Sequence, residues 1–243
     1  MSDLFLTPTD PTRADSPAPE SAMKSVPACI GGFPIVVPDD AYMRPVAALF
    51  VRADSIYKTL PGVDCWDIER DARTWPGGMP VVAHPPCRAW GRLRAFAKPR
   101  ADEMDLARWA VAQVRQWGGV LEHPECSTLW PDQGLPEPEQ RDALGGWTLP
   151  IHQWWFGHRA QKRTLLYIVG CGPNNAPRLP LRIGISDCRI RLDKRRPDGT
   201  HIRKGDADYR PILGNAEREH TPPLLAEWLV ELARRTSVLE VAA

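Results

Sequence analysis

The sequence carries almost no net charge, and it lacks any apolar run long enough to span a membrane. Its 31 Lys and Arg residues nearly balance its 30 Asp and Glu residues, so the formal net charge is +1. So small a charge gives no general attraction for a polyanion, and any nucleic-acid surface must therefore be local. A membrane-spanning helix needs roughly 20 consecutive apolar residues, so we expect no membrane partner.

The sequence also lacks a secretory signal pattern and a cysteine framework. Six cysteines in 243 residues, without a signal-peptide apolar stretch, argue against a disulfide scaffold. We therefore expect a cytoplasmic protein with reduced cysteines. The 26 prolines indicate many stiff loops. The sequence shows no internal repeat and gives no indication of an oligomeric state.

The pattern of apolar residues predicts an α/β fold. Residues 1–27 are rich in Ser, Thr, Pro and Asp, which predicts a disordered tail, and residues 28–243 are predicted to form one domain. Strand-like segments alternate with an amphipathic helix over residues 101–117, an order that is typical of a mostly parallel sheet with flanking helices. The predicted strands lie at residues 46–51, 62–71, 81–83 and 120–121.

The second half of the chain has weaker patterns. Residues 131–150 contain Pro and Gly throughout and are predicted to form a loop. Residues 154–170 predict a hairpin or two strands at an edge of the sheet. A final helix is predicted with Thr221 as its N-cap and Pro222 at its first position.

A cysteine follows two prolines at the end of the short apolar strand over residues 81–83. Pro85 and Pro86 lack an N–H and fix φ, so strand pairing must stop there and a stiff loop must begin. That loop carries Cys87 beyond the carboxyl end of the strand, where open α/β sheets usually bind their ligands. Cys87 is therefore a candidate nucleophile. The alternative is a half-buried cysteine that packs as a small apolar side chain.

Three motifs follow one another along the chain: Pro-Pro-Cys at residues 85–87, Leu-Glu-His-Pro at 121–124, and a stretch at 156–170 that contains Gln161 and Arg163. In this order the chain resembles the DNA (cytosine-5)-methyltransferases, which have a Pro-Cys nucleophile loop, a Glu-Asn strand end and a Gln-x-Arg-x-Arg strand. The pair at 214–215 and the prolines at 222–223 are similar to that family's closing motif and last helix. The resemblance covers roughly residues 63–233.

The resemblance implies a Rossmann-like methyltransferase fold, abbreviated in its N-terminal half, and an enzyme that modifies DNA. Cys87 would add to C6 of a flipped cytosine so that C5 can attack a one-carbon donor. Glu122 would bind the N3/N4 edge of the base. Arg163, with Gln161 beside it, would hold the base or orient Glu122. Nearby arginines, which favour the thiolate and contact the nucleic acid, would be Arg88, Arg92 and Arg94.

The chain departs from the family at several positions. Arg88 stands where the family has Gln, His123 where it has Asn, and Leu165 where it has the second arginine. Residues 50–54 contain no glycine, so the family's Phe-x-Gly-x-Gly turn is absent. S-adenosylmethionine is the implied donor, and its candidate ligands are three aspartates at the ends of the first two predicted strands: Asp54, Asp67 and Asp71.

A basic segment lies between residues 178 and 210. It holds ten Lys and Arg residues against five Asp and Glu residues. A solvated surface is one explanation, and a nucleic-acid contact through Arg195 and Arg196 is the other. The resemblance favours the second explanation and names DNA as the partner.

Two further readings of the motifs remain open. His84 and Cys87, and likewise His123 and Cys126, form two His-x-x-Cys pairs at predicted strand ends. These four residues would suit a tetrahedral zinc ion if the two strands are neighbours. The last alternative is a nucleic-acid-binding module that keeps the fold without catalysis.

Overall fold

The computed structural model describes residues 29–30, 33–34, 44–190 and 195–237. The predicted disordered tail, residues 1–27, lies outside the described residues. The chain divides into two compact units, residues 1–35 and residues 36–243. In the first unit, strand β1 (Cys29–Ile30) pairs antiparallel with β2 (Phe33–Pro34). All features described below belong to the second unit.

A six-stranded mixed sheet forms the second unit. Its strands are β3 (Val46–Leu49), β4 (Val63–Trp66), β5 (Val81–Ala83), β6 (Gly119–Pro124), β7 (Trp147–His152) and β8 (Arg163–Val169). Their order across the sheet is β4-β3-β5-β6-β8-β7. Strands β4, β3, β5 and β6 pair in parallel, and β8 is antiparallel to both of its neighbours. The predicted α/β class is confirmed, and the sheet is mixed: three of its five strand pairings are parallel and the two that involve β8 are antiparallel.

Helices cover both faces of this sheet. The helices are α1 (Glu103–Trp117), α2 (Leu129–Asp132), α3 (Asn215–Glu219) and α4 (Pro223–Arg234). Alternate residues of β3 enter different cores: Val46 and Ala48 pack in the cluster that includes the buried face of α4, and Ala47 and Leu49 in the cluster that includes that of α1. All four are fully buried, as expected for a strand that is covered on both faces.

Helix α1 forms as its sequence predicts. The residues of its predicted apolar stripe are all buried: Ala107, Ala110, Val111 and Val114. Glu103 and Asp105 lie in the first turn, where a negative charge interacts favourably with the helix dipole. Gly118 follows the last turn at φ 73°, a backbone conformation that glycine adopts without strain.

The predicted hairpin at the sheet edge forms, and its second strand is β8 at Arg163–Val169, but its first strand lies earlier in the chain than predicted. Strand β7 occupies residues 147–152, within and beyond the predicted loop, whereas residues 153–156 form a 3-10 turn. Pro150 lies within this strand, and a proline argues against a strand in the sequence because it has no N–H to donate to the hydrogen bonds between strands. Strand β7 lies at the edge of the sheet, where one side of the backbone needs no partner and the proline is tolerated.

The last helix begins one residue later than predicted. Pro223 is its first residue, and Pro222, not Thr221, takes the cap position. The carbonyl of Pro222 accepts hydrogen bonds from the N–H groups of Leu225 and Ala226. In the described part of the chain, none of the helices combines the length and the apolar character that crossing a membrane requires.

Candidate functional site

A large cleft opens at the carboxyl ends of the parallel strands β5 and β6. Strand β5 ends at Ala83, and the two prolines that follow carry Cys87 onto a loop beyond the strand. Glu122 lies on β6, the parallel neighbour of β5. Cys87 and Glu122 both line this cleft, which encloses about 1320 Å³. We call it the strand-end cleft.

Both carboxylate oxygens of Glu122 accept hydrogen bonds. Oε2 lies 3.0 Å from Nδ1 of His84, and Oε1 lies 3.0 Å from Nε2 of Gln153. The Nε2 atom of His84 lies 2.8 Å from the hydroxyl of Tyr57. Gln153 Nε2 also contacts the hydroxyl of Thr164 at 3.1 Å. The carboxylate is therefore held from two sides by His84 and Gln153, which are themselves bonded to Tyr57 and Thr164.

These contacts keep Glu122 ionised. Burial alone would raise the pKa of this carboxyl, because the charged form loses water. The hydrogen bond from His84 and the positive charge of Lys162 outweigh burial and lower the pKa from 4.5 to about 2. Only 13% of the Glu122 side chain is exposed. At neutral pH the cleft thus contains a fixed, partly exposed anion whose remaining lone pairs are free to accept hydrogen bonds.

Cys87 is a thiol at rest. Its side chain reaches solvent, but the surrounding protein still removes water that a thiolate would need, which raises the pKa of the thiol. The charge of Glu122 raises this pKa further, while Lys162 lowers it. Lys162, which is not one of the arginines after Cys87, therefore supplies positive charge near the thiol, and Arg88 also interacts with it electrostatically.

Those arginines have other contacts. Arg88 donates hydrogen bonds to both oxygens of the buried carboxylate of Glu103 at the start of α1, and this pair anchors the loop to the helix. Arg92 and Arg94 are exposed on the same loop. Of these two, Arg92 lines a second cleft.

Arg163 and Gln161 do not meet Glu122. The guanidinium of Arg163 pairs with Glu125 at 3.2 Å, and both Arg163 and Gln161 line the second cleft. The cause is the alternation of side chains along β8. Thr164 points to the face that holds Glu122, so Arg163, one residue earlier, points away from it. The prediction that Arg163 joins Cys87 and Glu122 was wrong.

Four residues of the strand-end cleft and its support have no predicted role in the catalytic site. His84 was considered only as a metal ligand, although it directly follows a buried strand and precedes the proline pair. Lys162 lies between the two residues that the resemblance assigned and lines both clefts. Tyr57 and Gln153 lie on 3-10 turns outside the quoted motif residues, and no local pattern identifies them.

The three candidate cofactor ligands line the strand-end cleft, and each is already paired. Asp67 binds Lys58 at 2.7 Å, Asp71 binds Arg73 at 2.8 Å, and Asp54 binds Arg52 at 2.9 Å. Each pairing lowers the pKa of its carboxyl.

The turn after β3 also differs from a glycine-rich cradle. Phe50 adopts φ 60° there, and its ring packs edge-on against that of Trp109 at 5.9 Å. A bulky side chain therefore lies where the resemblance implies glycines that let a cofactor approach the backbone. The paired aspartates and this turn do not fit S-adenosylmethionine.

The four residues of the zinc alternative do not converge. His84 and Cys87 line the strand-end cleft, whereas Cys126 lines the second cleft. His123 follows Glu122 on β6 and so points to the opposite face of the sheet, where it is buried with Nδ1 2.6 Å from the hydroxyl of Ser127. Within residues 44–190 and 195–237, no three His, Cys, Asp or Glu side chains are placed to hold a metal ion.

The second cleft is strongly basic. Eight Lys and Arg residues line it against two acidic residues; the basic ones are Arg92, Lys162, Arg163, Arg189, Arg195, Arg196, Arg210 and Arg218. Of the three predicted nucleic-acid contacts here, Arg92 and Arg195 are exposed. Arg196 binds Asp206 at 2.7 Å and Asp208 at 2.8 Å, so it holds its own loop together. We call this surface the basic cleft; it encloses about 790 Å³ and adjoins the strand-end cleft at Lys162.

No protein-family model matches the chain. No curated protein matches it either.

Proposed function

We propose that the protein is a DNA-modifying enzyme in which Cys87 adds to C6 of a cytosine and thereby activates C5. The observation that carries this proposal is that Cys87 and an ionised Glu122 line the same cleft at the ends of adjacent parallel strands. The resemblance of the motifs around these two residues to the DNA (cytosine-5)-methyltransferases supports it.

Glu122 suits the polar edge of cytosine. An ionised carboxylate only accepts hydrogen bonds, and cytosine offers it the amino group at C4 and, once protonated, the N–H at N3. Uracil presents a carbonyl oxygen in place of that amino group, and the carboxylate would repel it. Because His84 and Gln153 fix both oxygens, the carboxylate needs no reorganisation when the base arrives.

The addition is balanced by one proton transfer. The sulfur of Cys87 bonds to C6, the C5=C6 electron pair becomes a C4=C5 double bond, and the C4=N3 pair takes up a proton at N3. The S–H bond of Cys87 breaks and supplies that proton, which Glu122 accepts and passes to N3. The product is an enamine whose C5 is nucleophilic. A resting thiol and a resting carboxylate are therefore the protonation states that this step needs.

The basic cleft supports nucleic acid as the substrate class. Phosphates bound by Arg92 and Arg195 would lie beside Lys162, which borders both clefts. A base would have to leave its stack to pass from such a strand into the strand-end cleft. Binding through these cations releases counterions and should weaken steeply as salt is raised.

The addition can be tested without knowing the donor. Reversible attack at C6 makes C5 exchange its hydrogen with water, so DNA labelled with tritium at C5 of cytosine should release tritium. We expect release with the wild-type protein and none with Cys87→Ala. Cys126→Ala is the matched control, because Cys126 is also exposed but lines the basic cleft, and it should behave as the wild type.

Transfer to C5 is tested by trapping. DNA with 5-fluorocytosine should form a denaturant-stable complex, because the last step must remove the C5 substituent as a proton and fluorine cannot leave in that way. The reaction is run on single- and double-stranded DNA, with S-adenosylmethionine and separately with cell extract. Absence of both tritium release and trapping would refute the proposal.

A nucleic-acid-binding module without catalysis is the second candidate. The pairing of all three aspartates, which do not fit a methyl donor, favours it. It predicts salt-dependent DNA binding that Cys87→Ala leaves unchanged, together with no tritium release. Tritium release that depends on Cys87 would exclude it.

A further inference from the structure

A continuous chain of hydrogen bonds leads from a buried tyrosine to the carboxylate of the strand-end cleft. Tyr57 is 1% exposed, and its hydroxyl lies 2.8 Å from Nε2 of His84. Nδ1 of the same ring lies 3.0 Å from Glu122. The chain joins a 3-10 turn, the end of β5 and strand β6.

The partners of His84 determine its tautomer. An ionised carboxylate has no proton to give, so Nδ1 of His84 must carry the hydrogen and donate it to Glu122. In the neutral ring, Nε2 is then an acceptor, and the hydroxyl of Tyr57 donates to it. With a neutral His84 ring, every donor in the chain points toward Glu122.

We propose that His84, held in this tautomer by Tyr57, is a positioning residue that keeps the carboxylate of Glu122 ionised and aimed at the pyrimidine. This inference rests on the proposed function. His84 acts through Glu122 and needs no contact with the reacting atoms. The sequence resemblance assigns it no role.

The geometry makes His84 the principal restraint on one side of the carboxylate. Gln153, which is 1% exposed, fixes Oε1, and His84 fixes Oε2, so together they set the plane of the group. His84 and Glu122 are each 13% exposed. A carboxylate free to rotate by one rotamer would move its lone pairs away from the base, and a misplacement of about 1 Å can cost on the order of 100-fold in rate.

The other ionisable groups near Glu122 cannot replace this contact. Lys162 approaches from the loop before β8, Cys87 from the loop after β5, and the adjacent His123 points to the opposite face of the sheet. Lys162 contributes charge to the site, but only His84 and Gln153 donate hydrogen bonds to the carboxylate among the described residues. Removal of His84 therefore leaves one oxygen without its protein donor.

The first test does not depend on activity. Protein labelled with ¹³C at glutamate carboxyls is titrated by NMR, and Glu122→Gln assigns the Glu122 signal. We expect this carboxyl to stay ionised to the lowest pH at which the wild type is folded. In His84→Ala its titration should move up by about one pH unit or more. His84→Asn keeps an N–H donor near Nδ1 and should titrate closer to the wild type.

The second test uses tritium release from C5. His84→Ala should lower the rate by on the order of 100-fold at neutral pH, and the acid limb of its pH profile should move to higher pH. Tyr57→Phe should shift the profile in the same direction, because Nε2 is then free to take the hydrogen. Tyr167→Phe is the matched control, since Tyr167 is also a buried, hydrogen-bonded tyrosine but packs in the core on the α1 side.

The outcomes separate this inference from the proposed function. An unchanged Glu122 titration in His84→Ala, in protein that remains folded, would overturn the role of His84 whatever the activity. An upward shift in titration without tritium release from any variant would support the positioning of Glu122 and refute the addition to cytosine. If His84→Ala fails to fold, Tyr57→Phe provides the same comparison at nearly constant volume.

Discussion

Replacing Glu122 by glutamine should remove a specific, acid-sensitive part of the protein's stability. Glutamine has the shape of a protonated carboxyl, so the variant represents the neutral state of this site. The pKa of Glu122 is about 2 in the folded protein against an ordinary value of 4.5. The shift of about 2.5 units corresponds to about 3 kcal/mol at neutral pH.

The sign follows from proton binding. The unfolded chain protonates this carboxyl near pH 4.5, and the folded protein does so only near pH 2. Between these values the unfolded state binds more protons, so the stabilisation by Glu122 is complete above about pH 4.5 and is lost as the pH falls toward 2. Glu122→Gln lacks this contribution at every pH.

The assay is urea unfolding of the wild type and the variant from pH 7 to the lowest pH at which both fold. The difference in unfolding free energy should be about 3 kcal/mol above pH 4.5 and should shrink below it. Glu227→Gln, an exposed change on α4, is the control and should leave the curve unchanged. A constant difference between wild type and Glu122→Gln at all pH values would refute the argument, because it would show a simple loss of packing.

Three further predictions concern other residues. Burial keeps His123 neutral and lowers its pKa from 6.5 to about 4. The wild type should therefore lose about 3 kcal/mol of unfolding free energy as the pH falls from 6.5 to 4, and His123→Asn should not show this loss in the same assay. Lys162→Met should slow alkylation of Cys87 by iodoacetamide at pH 8, measured by mass spectrometry, because the thiolate loses a cation; faster alkylation would contradict this. The double variant Arg92→Ala, Arg195→Ala should reduce the slope of log K for duplex DNA binding against log salt concentration by about two. An unchanged slope would exclude these two side chains as phosphate contacts.

The placement of Cys87 and Glu122 could be predicted because local chemistry determines it. Two prolines must end β5, and parallel neighbours must present their carboxyl ends at the same edge. The sequence therefore indicated both residues of the site, and the structure brings them to the same cleft. The same reasoning failed for Arg163, since a shift of one residue along β8 reverses the face to which a side chain points.

The support of the site could not be predicted, because it comes from distant segments. Tyr57 reaches His84 from a turn 27 residues earlier in the chain, and Gln153 reaches Glu122 from a turn 31 residues later. Neither residue lies in an apolar period or a recognisable motif. Long-range hydrogen bonds of this kind depend on how the strands are ordered, and strand β7, which precedes Gln153, was hidden by its proline.

Lys162 borders both clefts. Its single ammonium group interacts less strongly with an anion in one cleft when another anion is bound in the other. A phosphate bound in the basic cleft would screen the charge of Lys162. It would thereby weaken the interaction of Lys162 with a Cys87 thiolate and with the Glu122 carboxylate. Phosphate binding in the basic cleft would therefore disfavour ionisation of Cys87, and by reciprocity the ionisation of Cys87 would weaken phosphate binding by the same factor. A reagent that modifies the Cys87 thiolate should then change the affinity for DNA, although the reagent does not enter the basic cleft.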